Sequence, residues 1–211
     1  MTNYFYISDI HFGYQTDTNP IRRTQYQLTF SHYKMNGPKD YDNRMTNNWN
    51  GVVKENDHVF ILGDISCYDT KTTIGLLKNL KGQKHLILGN HDYQFLYDND
   101  FRNQFVEIKN YKEQNLGDGT RLVLTHYPFY TWNGRYKGNP MFYGHVHNSW
   151  EYDSFKQGQE ALYKSQNENY PLNSLNVGSM MPWMDMTPRS FQFCMNEMQK
   201  QQMETTRKFR I

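Results

Sequence analysis

Leu88-Gly89-Asn90-His91-Asp92 decides the fold. An apolar run, His85 to Leu88, stops at a glycine, and three polar residues follow that can bind a metal or move a proton. The same event recurs along the chain. Tyr4 to Ser8 runs into Asp9-Ile10-His11, and Val59 to Leu62 into Gly63-Asp64. Leu122 to Thr125 runs into His126, and Met141 to Tyr143 into Gly144-His145-Val146-His147. Five short strand-like runs thus end on Asp, Asn or His. Ligands of an open α/β sheet sit in the crevice outside the carboxyl ends of its strands. The five ends are therefore expected to converge on one metal site.

The 211 residues suit one domain, 1–211, long enough for a sheet covered on both faces. A net charge of +2 implies no strong polyanion-binding field, which disfavours nucleic acid. The two cysteines, Cys67 and Cys194, have no metal-site spacing and read as free thiols in a reducing compartment. No run approaches the roughly 18 apolar residues of a membrane span, and Asp9 and His11 interrupt the one candidate leader. A cytoplasmic protein without membrane contact is expected; the oligomeric state is open.

In chain order, residues 3–8 read as a strand and 14–40 as a long loop with a helical turn around Gln25–Phe30. Asp42 to Val53 has helical spacing at Met45, Trp49, Val52 and Val53, with Asp40 or Asp42 as its cap. Strand 58–62 follows, then a helix from Asp69 to Leu80 ended by Gly82, then strand 84–88. Phe95 to Phe105 reads as partly helical and Val106 to Gln114 as a strand, turning at Gly117-Asp118-Gly119 into strand 121–125. Strand 140–143 delivers the Gly144–His147 block. Residues 150–172 carry no motif and read as a surface excursion. Asn173 to Val177 and Phe191 to Met195 read as the last strands, and 196–211 as a short exposed helix or frayed end.

Five of the eight histidines stand at strand ends, with Asp9, Asp64 and Asn90 in equivalent places. Packing alone does not produce that composition five times. Carboxylates, imidazoles and an amide without thiolate suit Mn, Fe, Zn, Ni or Co. Seven candidate ligands (Asp9, His11, Asp64, Asn90, His126, His145, His147) exceed the needs of one tetrahedral ion. Two divalent ions sharing a bridging carboxylate use them all. Such pairs lie about 3.5–4 Å apart and clamp a phosphoryl transition state. Asp64, alone at its strand end after a glycine, is the natural bridge.

These blocks, in this order over residues 3–147, resemble those of the calcineurin-like metallophosphoesterase superfamily. Asn176-Val177-Gly178 and the Met-rich run after it resemble the C-terminal part of its small bacterial and phage-type members. The resemblance implies a two-sheet α/β sandwich with flanking helices and a hydrolase of phosphoric esters. Asp9, His11 and His147 would hold one metal and Asn90, His126 and His145 the other, with Asp64 bridging and Mn as the leading metal. A metal-bridging hydroxide would attack phosphorus in line. His91 would donate a proton to the leaving oxygen, with Asp92 orienting its ring.

Departures narrow the class. Leu88 stands where Ser/Thr protein phosphatases carry an arginine, and Asp92 where they carry a glutamate. The expected activity is a phosphodiesterase on a small nucleotide-like substrate. A phosphomonoesterase, a nucleoside-polyphosphate hydrolase or a non-catalytic scaffold of the same fold are the alternatives. Arg22, Arg23, Arg44, Arg135 and Lys137 are the basic candidates for a phosphate oxygen. Tyr127, with Phe129, Tyr130 and Trp132 behind it, is the candidate to stack on a base. Trp183 and Asp185 read as packing beneath the site.

Overall fold

The computed structural model describes residues 2–14, 29–117, 119–166 and 170–208. Its strands are Tyr4–Ile7 (β1), His58–Ile61 (β2), Gln83–Ile87 (β3), Glu107–Lys109 (β4), Tyr111–Asn115 (β5), Arg121–Thr125 (β6), Met141–Tyr143 (β7), Ser174–Asn176 (β8) and Arg189–Ser190 (β9). One sheet runs β4-β3-β2-β1-β9 and the other β5-β6-β7-β8. Strands β1 to β4 are mutually parallel, as are β6 to β8. Parallel pairing puts all the carboxyl ends of a sheet at one edge, where the polar blocks emerge. The two-sheet α/β sandwich is thus the observed fold.

The sheets meet through large side chains. The Tyr6 ring of β1 meets the Phe142 ring of β7 edge-on at 5.1 Å, and the Tyr6 hydroxyl donates to Gln114 Oε1 at 2.9 Å. At the site end the sheets are joined by backbone. Ser8 N donates to Val177 O, and Ser179 N donates to Ser8 O, both at 2.8 Å. At the edge, Asn110 alone separates β4 from β5, so the chain changes sheet within one residue. The single strand expected over Val106–Gln114 is therefore two strands in two sheets, a break that an uninterrupted residue pattern does not signal.

Five α-helices flank the sheets among the described elements: Pro38–Val52 (α1), Thr70–Lys78 (α2), Asn99–Arg102 (α3), Trp150–Ser165 (α4) and Phe191–Lys208 (α5). Helix α1 starts four residues before the expected Asp42, because Pro38 occupies its first turn, where a missing N–H costs nothing. Neither aspartate caps it. Asp40 accepts from Asn36, and Asp42 accepts from Gly13 N and the Tyr68 hydroxyl. Asp69, expected as the first residue of α2, is its cap, accepting from Thr72 N, and the helix ends at Lys78 rather than Leu80.

Two expectations fail in the C-terminal third. The excursion expected over 150–172 contains α4, capped by Ser149 and burying Phe155, Gln159 and Tyr163 at four-residue intervals. The expected strand Phe191–Met195 is the first turn of α5. Only Arg189 and Ser190 pair with β1, and α5 buries Cys194, Met198 and Thr205. The helical turn expected at Gln25–Phe30 lies mainly outside the described residues, and its described part belongs to a helical stretch at 29–33.

Candidate metal centre

Three of the five polar blocks turn through left-handed backbone as they leave their strands. Among the described residues, eight non-glycine residues have a positive φ, and Asp9, His11, Asp64, His145 and His147 are five of them. The left-handed region costs an L-residue on the order of 1–3 kcal/mol, and such strain gathers at functional sites. Here it lets successive side chains of one strand end face the same crevice.

Glycines supply the remaining room. A Cβ on Gly89 would lie 2.3 Å from Asp64 Oδ1, and one on Gly144 would lie 2.5 Å from Asp9 Oδ2. Neither position holds any other residue without moving a candidate ligand.

Two groups of ligand atoms result. Asp9, His11 and His147 each offer one within 4.8 Å of the others, and so do Asp64, His126 and His145. Asp64 Oδ2 lies between them, 3.7 Å from His11 Nε2 and 3.5 Å from His126 Nε2. Asn90 Oδ1 is 3.2 Å from His126 Nε2 and joins the second group. All seven expected ligands are thus brought together.

Backbone contacts orient these side chains. His126 Nδ1 is 2.7 Å from Leu62 O, and a carbonyl can only accept, so Nδ1 carries the hydrogen. The Nε2 lone pair then faces Asn90 Oδ1, Asp64 Oδ2 and, at 3.2 Å, His145 Nδ1. His145 N donates to both oxygens of Asp9. The Ser179 hydroxyl donates to Asp9 O at 2.6 Å, and Asn176 Nδ2 to His147 O at 3.1 Å. Ser179 was not anticipated from the sequence; its only signal was its place after the Asn176-Val177-Gly178 block.

The donor set fits a pair of cations. Asp9 and Asp64 are buried together, and among the described residues no lysine or arginine pairs with either. Burial pushes the Asp9 carboxyl up to about 7; His126 opposes this and the charge of Asp64 adds to it. Lone pairs of carboxylate, amide and imidazole converge where only a cation satisfies them together.

His91 stands beside the groups, its ring centroid 5.8 Å from that of His11, and its N donates to Asp64 Oδ1 at 2.9 Å. Asp92 is fully buried and accepts from three backbone amides: Asp64 N at 2.9 Å, Ile65 N at 3.0 Å and Gly89 N at 2.8 Å. Burial raises its carboxyl to about 7 against the pull of these amides. That is a different task from orienting the His91 ring: Asp92 ties the Gly63–Ile65 turn to the Gly89 turn.

The recognition candidates scatter. Tyr127 is at the rim, half-exposed, its ring 4.5 Å from that of His145. Phe129 and Tyr130 are also half-exposed, whereas Trp132 is buried with Nε1 on Asn139 O. Arg135 is buried, its guanidinium over the Tyr170, Tyr136 and Trp132 rings, so packing rather than a phosphate claims it. Lys137 is exposed beside it. Arg44 lies over the Tyr33 ring at 4.1 Å. Arg22 and Arg23 lie outside the described residues. Trp183 packs, donating to Asn176 O at 2.8 Å.

The family model of calcineurin-like phosphoesterases matches residues 3–169. The chain belongs to that family. This phosphoesterase is therefore a metal-dependent hydrolase of phosphoric esters, of a family that typically binds two divalent ions. It is 26% identical over 176 residues to the gene 66 protein of Mycobacterium phage L5, covering 70% of this chain and 79% of that one. With the gene 66 protein of Mycobacterium phage D29 the identity is 28% over 174 residues, covering 70% and 80%. A protein of unknown function from Aquifex aeolicus, of solved structure, shares the fold of the phosphoesterase. Its TM-score is 0.60 at 23% identity, over 91% of this chain and 97% of that one. Among the described residues no helix is long and apolar enough to cross a membrane.

Proposed function

We propose that the protein is a phosphodiesterase acting on a small nucleotide-like substrate, on a single domain. The observation that carries the reading is the position of Asp64, one carboxylate oxygen facing an imidazole of each ligand group. In this reading Asp9, His11 and His147 hold one divalent ion, manganese being the leading candidate. Asn90, His126 and His145 hold the other, and Asp64 belongs to both. The ion pair supplies Lewis acidity toward the phosphoryl oxygens and toward the attacking water.

The chain's own residues do the rest. His126 is kept in the Nε2-ligating tautomer by Leu62 O. His91, on the open side of the groups, delivers a proton to the departing oxygen. Asp92 holds the Asp64 and Gly89 turns in register, so Asp64 Oδ1 stays on His91 N while Oδ2 stays between His11 and His126, where it would serve both ions. Tyr127 shields the second group at its rim.

The test is turnover of bis(p-nitrophenyl) phosphate and p-nitrophenyl phosphate by the Mn²⁺-loaded protein. A higher kcat/KM for the diester supports the reading, and a higher value for the monoester replaces it with a phosphomonoesterase. Asp64→Asn should lower the content of both ions by elemental analysis. Full occupancy of both in that variant removes Asp64 from the bridging role.

A further inference from the structure

On the His147 side of the centre lies a cavity of about 590 Å³, within the range of small-ligand sites. Two links tie it to the metal groups. Asn148, on its wall, directly follows His147; Met180, also on its wall, follows Ser179, whose hydroxyl holds Asp9 O. The cavity wall thus lies one residue from a candidate ligand and one from the residue that holds Asp9.

The wall is chemically divided. Met180, Pro182 and the rings of His32 and Tyr33 form its apolar and aromatic part. Its charged part is Asp185 and Arg189. Tyr33 donates its hydroxyl to Asp185 Oδ1 at 2.5 Å, which leaves Oδ2 as an acceptor. Arg189 uses Nε on Trp183 O, so its terminal nitrogens are the donors it offers.

Asp185 is also held at a cost. Both it and Met186 have left-handed backbones, φ 50° and 53°. Asn48 Nδ2 reaches both carbonyls at 3.3 Å, and the Thr187 hydroxyl donates to Asp185 O at 2.8 Å. Two consecutive strained residues fixed by three hydrogen bonds aim one carboxylate into a cavity.

A fatty chain would offer no bond to Asp185 Oδ2 or to the terminal nitrogens of Arg189. Thr29 and Asn148 complete the wall. A flat heteroaromatic ring with an N–H and a carbonyl on one edge satisfies both parts of the wall. We infer that this cavity receives the nucleoside end of the phosphoester substrate, the base lying against Met180, Pro182 and Tyr33, with its polar edge on Asp185 and Arg189. This rests on the phosphodiesterase reading above and moves base recognition from the Tyr127 loop to the opposite side of the centre.

The test uses the full chain with Mn²⁺. The kcat/KM for the p-nitrophenyl ester of thymidine 5′-phosphate is compared with that for bis(p-nitrophenyl) phosphate. In parallel, adenosine, guanosine, cytidine and thymidine are titrated in by calorimetry. The expected result is a preference of about tenfold or more for the nucleoside ester and binding of at least one nucleoside at about 1 mM or tighter. Asp185→Asn, which keeps shape and tolerates a left-handed backbone, should shrink that preference. Met180→Trp, which fills the cavity, should abolish both the preference and nucleoside binding.

Hydrolysis of both esters at equal efficiency with no nucleoside bound overturns the cavity assignment and leaves the phosphodiesterase intact. A preference lost in Tyr127→Ala and kept in the two cavity variants also overturns it. If neither ester turns over while ions are bound, the reading of the centre fails; nucleoside binding, which needs no turnover, still decides the cavity.

Discussion

Gly63 and Gly89 meet backbone to backbone: a Cβ on Gly63 would lie 2.6 Å from both Cα and N of Gly89. The turns after β2 and β3 therefore touch with no side chain between them. Gly89→Ala pushes directly on Asp64 and on the His126 ring. It is expected to cost about 1–3 kcal/mol of stability in urea melts and to weaken metal binding measurably. Gly51→Ala, with open space around its Cβ inside α1, is the contrast and should stabilise by about 0.5–1 kcal/mol.

His91→Ala removes the proposed proton donor without touching a proposed ligand. Metal content by elemental analysis should stay near that of the parent. Turnover of a diester with an alkoxide leaving group should fall on the order of 10²–10⁴-fold, and that of bis(p-nitrophenyl) phosphate, whose leaving group needs no proton, should fall least.

Asp92→Asn replaces an acceptor of three backbone amides with a side chain that has one oxygen. A buried N–H left unpaired costs about 1–3 kcal/mol, so a thermal melt should register the loss. Because the displaced turns carry Asp64 and Asn90, ion affinity should drop in the same variant.

Asp57 fastens the start of β1. It accepts from Asn3 N and Asn3 Nδ2 at 3.0 Å and from Lys54 N at 2.9 Å. Burial works against the charge, but these donors outweigh it and hold the carboxyl below its usual 3.8. The ionised form is therefore favoured by the fold. Its stabilisation is present above pH 3.8 and disappears as pH falls through the depressed value. Asp57→Asn should be less stable than the parent at pH 7 by about 1–3 kcal/mol, with the gap narrowing toward pH 3 in urea melts.

Arg135→Ala should behave as a packing defect. It removes a buried guanidinium from three rings, at a cost of about 2 kcal/mol or more. At a temperature where the variant is folded, kcat/KM for the diester should match the parent.

The convergence of the strand ends was legible because each strand announces its end chemically, with a glycine, serine or threonine and then Asp, Asn or His. Helix α4 was illegible because its buried stripe passes through Gln159, whose Nε2 donates to Ser174 Oγ at 2.8 Å, a partner on another element. The change of sheet at Asn110 leaves no residue signature, since both strands around it are half-buried and polar. The bonding of Asp92 was illegible too, since a carboxylate bound to backbone amides is indistinguishable by residue type from one bound to an imidazole. The cavity wall has no local signature either: Asp185 and Arg189 lie about 40 residues after His147 and share a wall with its neighbour Asn148 only through the fold.

Each ligand group draws on both sheets. Asp9 and His11 follow β1 while His147 follows β7; Asp64 follows β2 while His126 and His145 follow β6 and β7. Any cation gripped there rivets one half of the molecule to the other at the seam. Chelating it should let that end breathe, showing as faster amide exchange in β1 and β7 than in β4 or β5. The protein's catalytic competence and its mechanical integrity would then rise and fall together with the supply of the same ion.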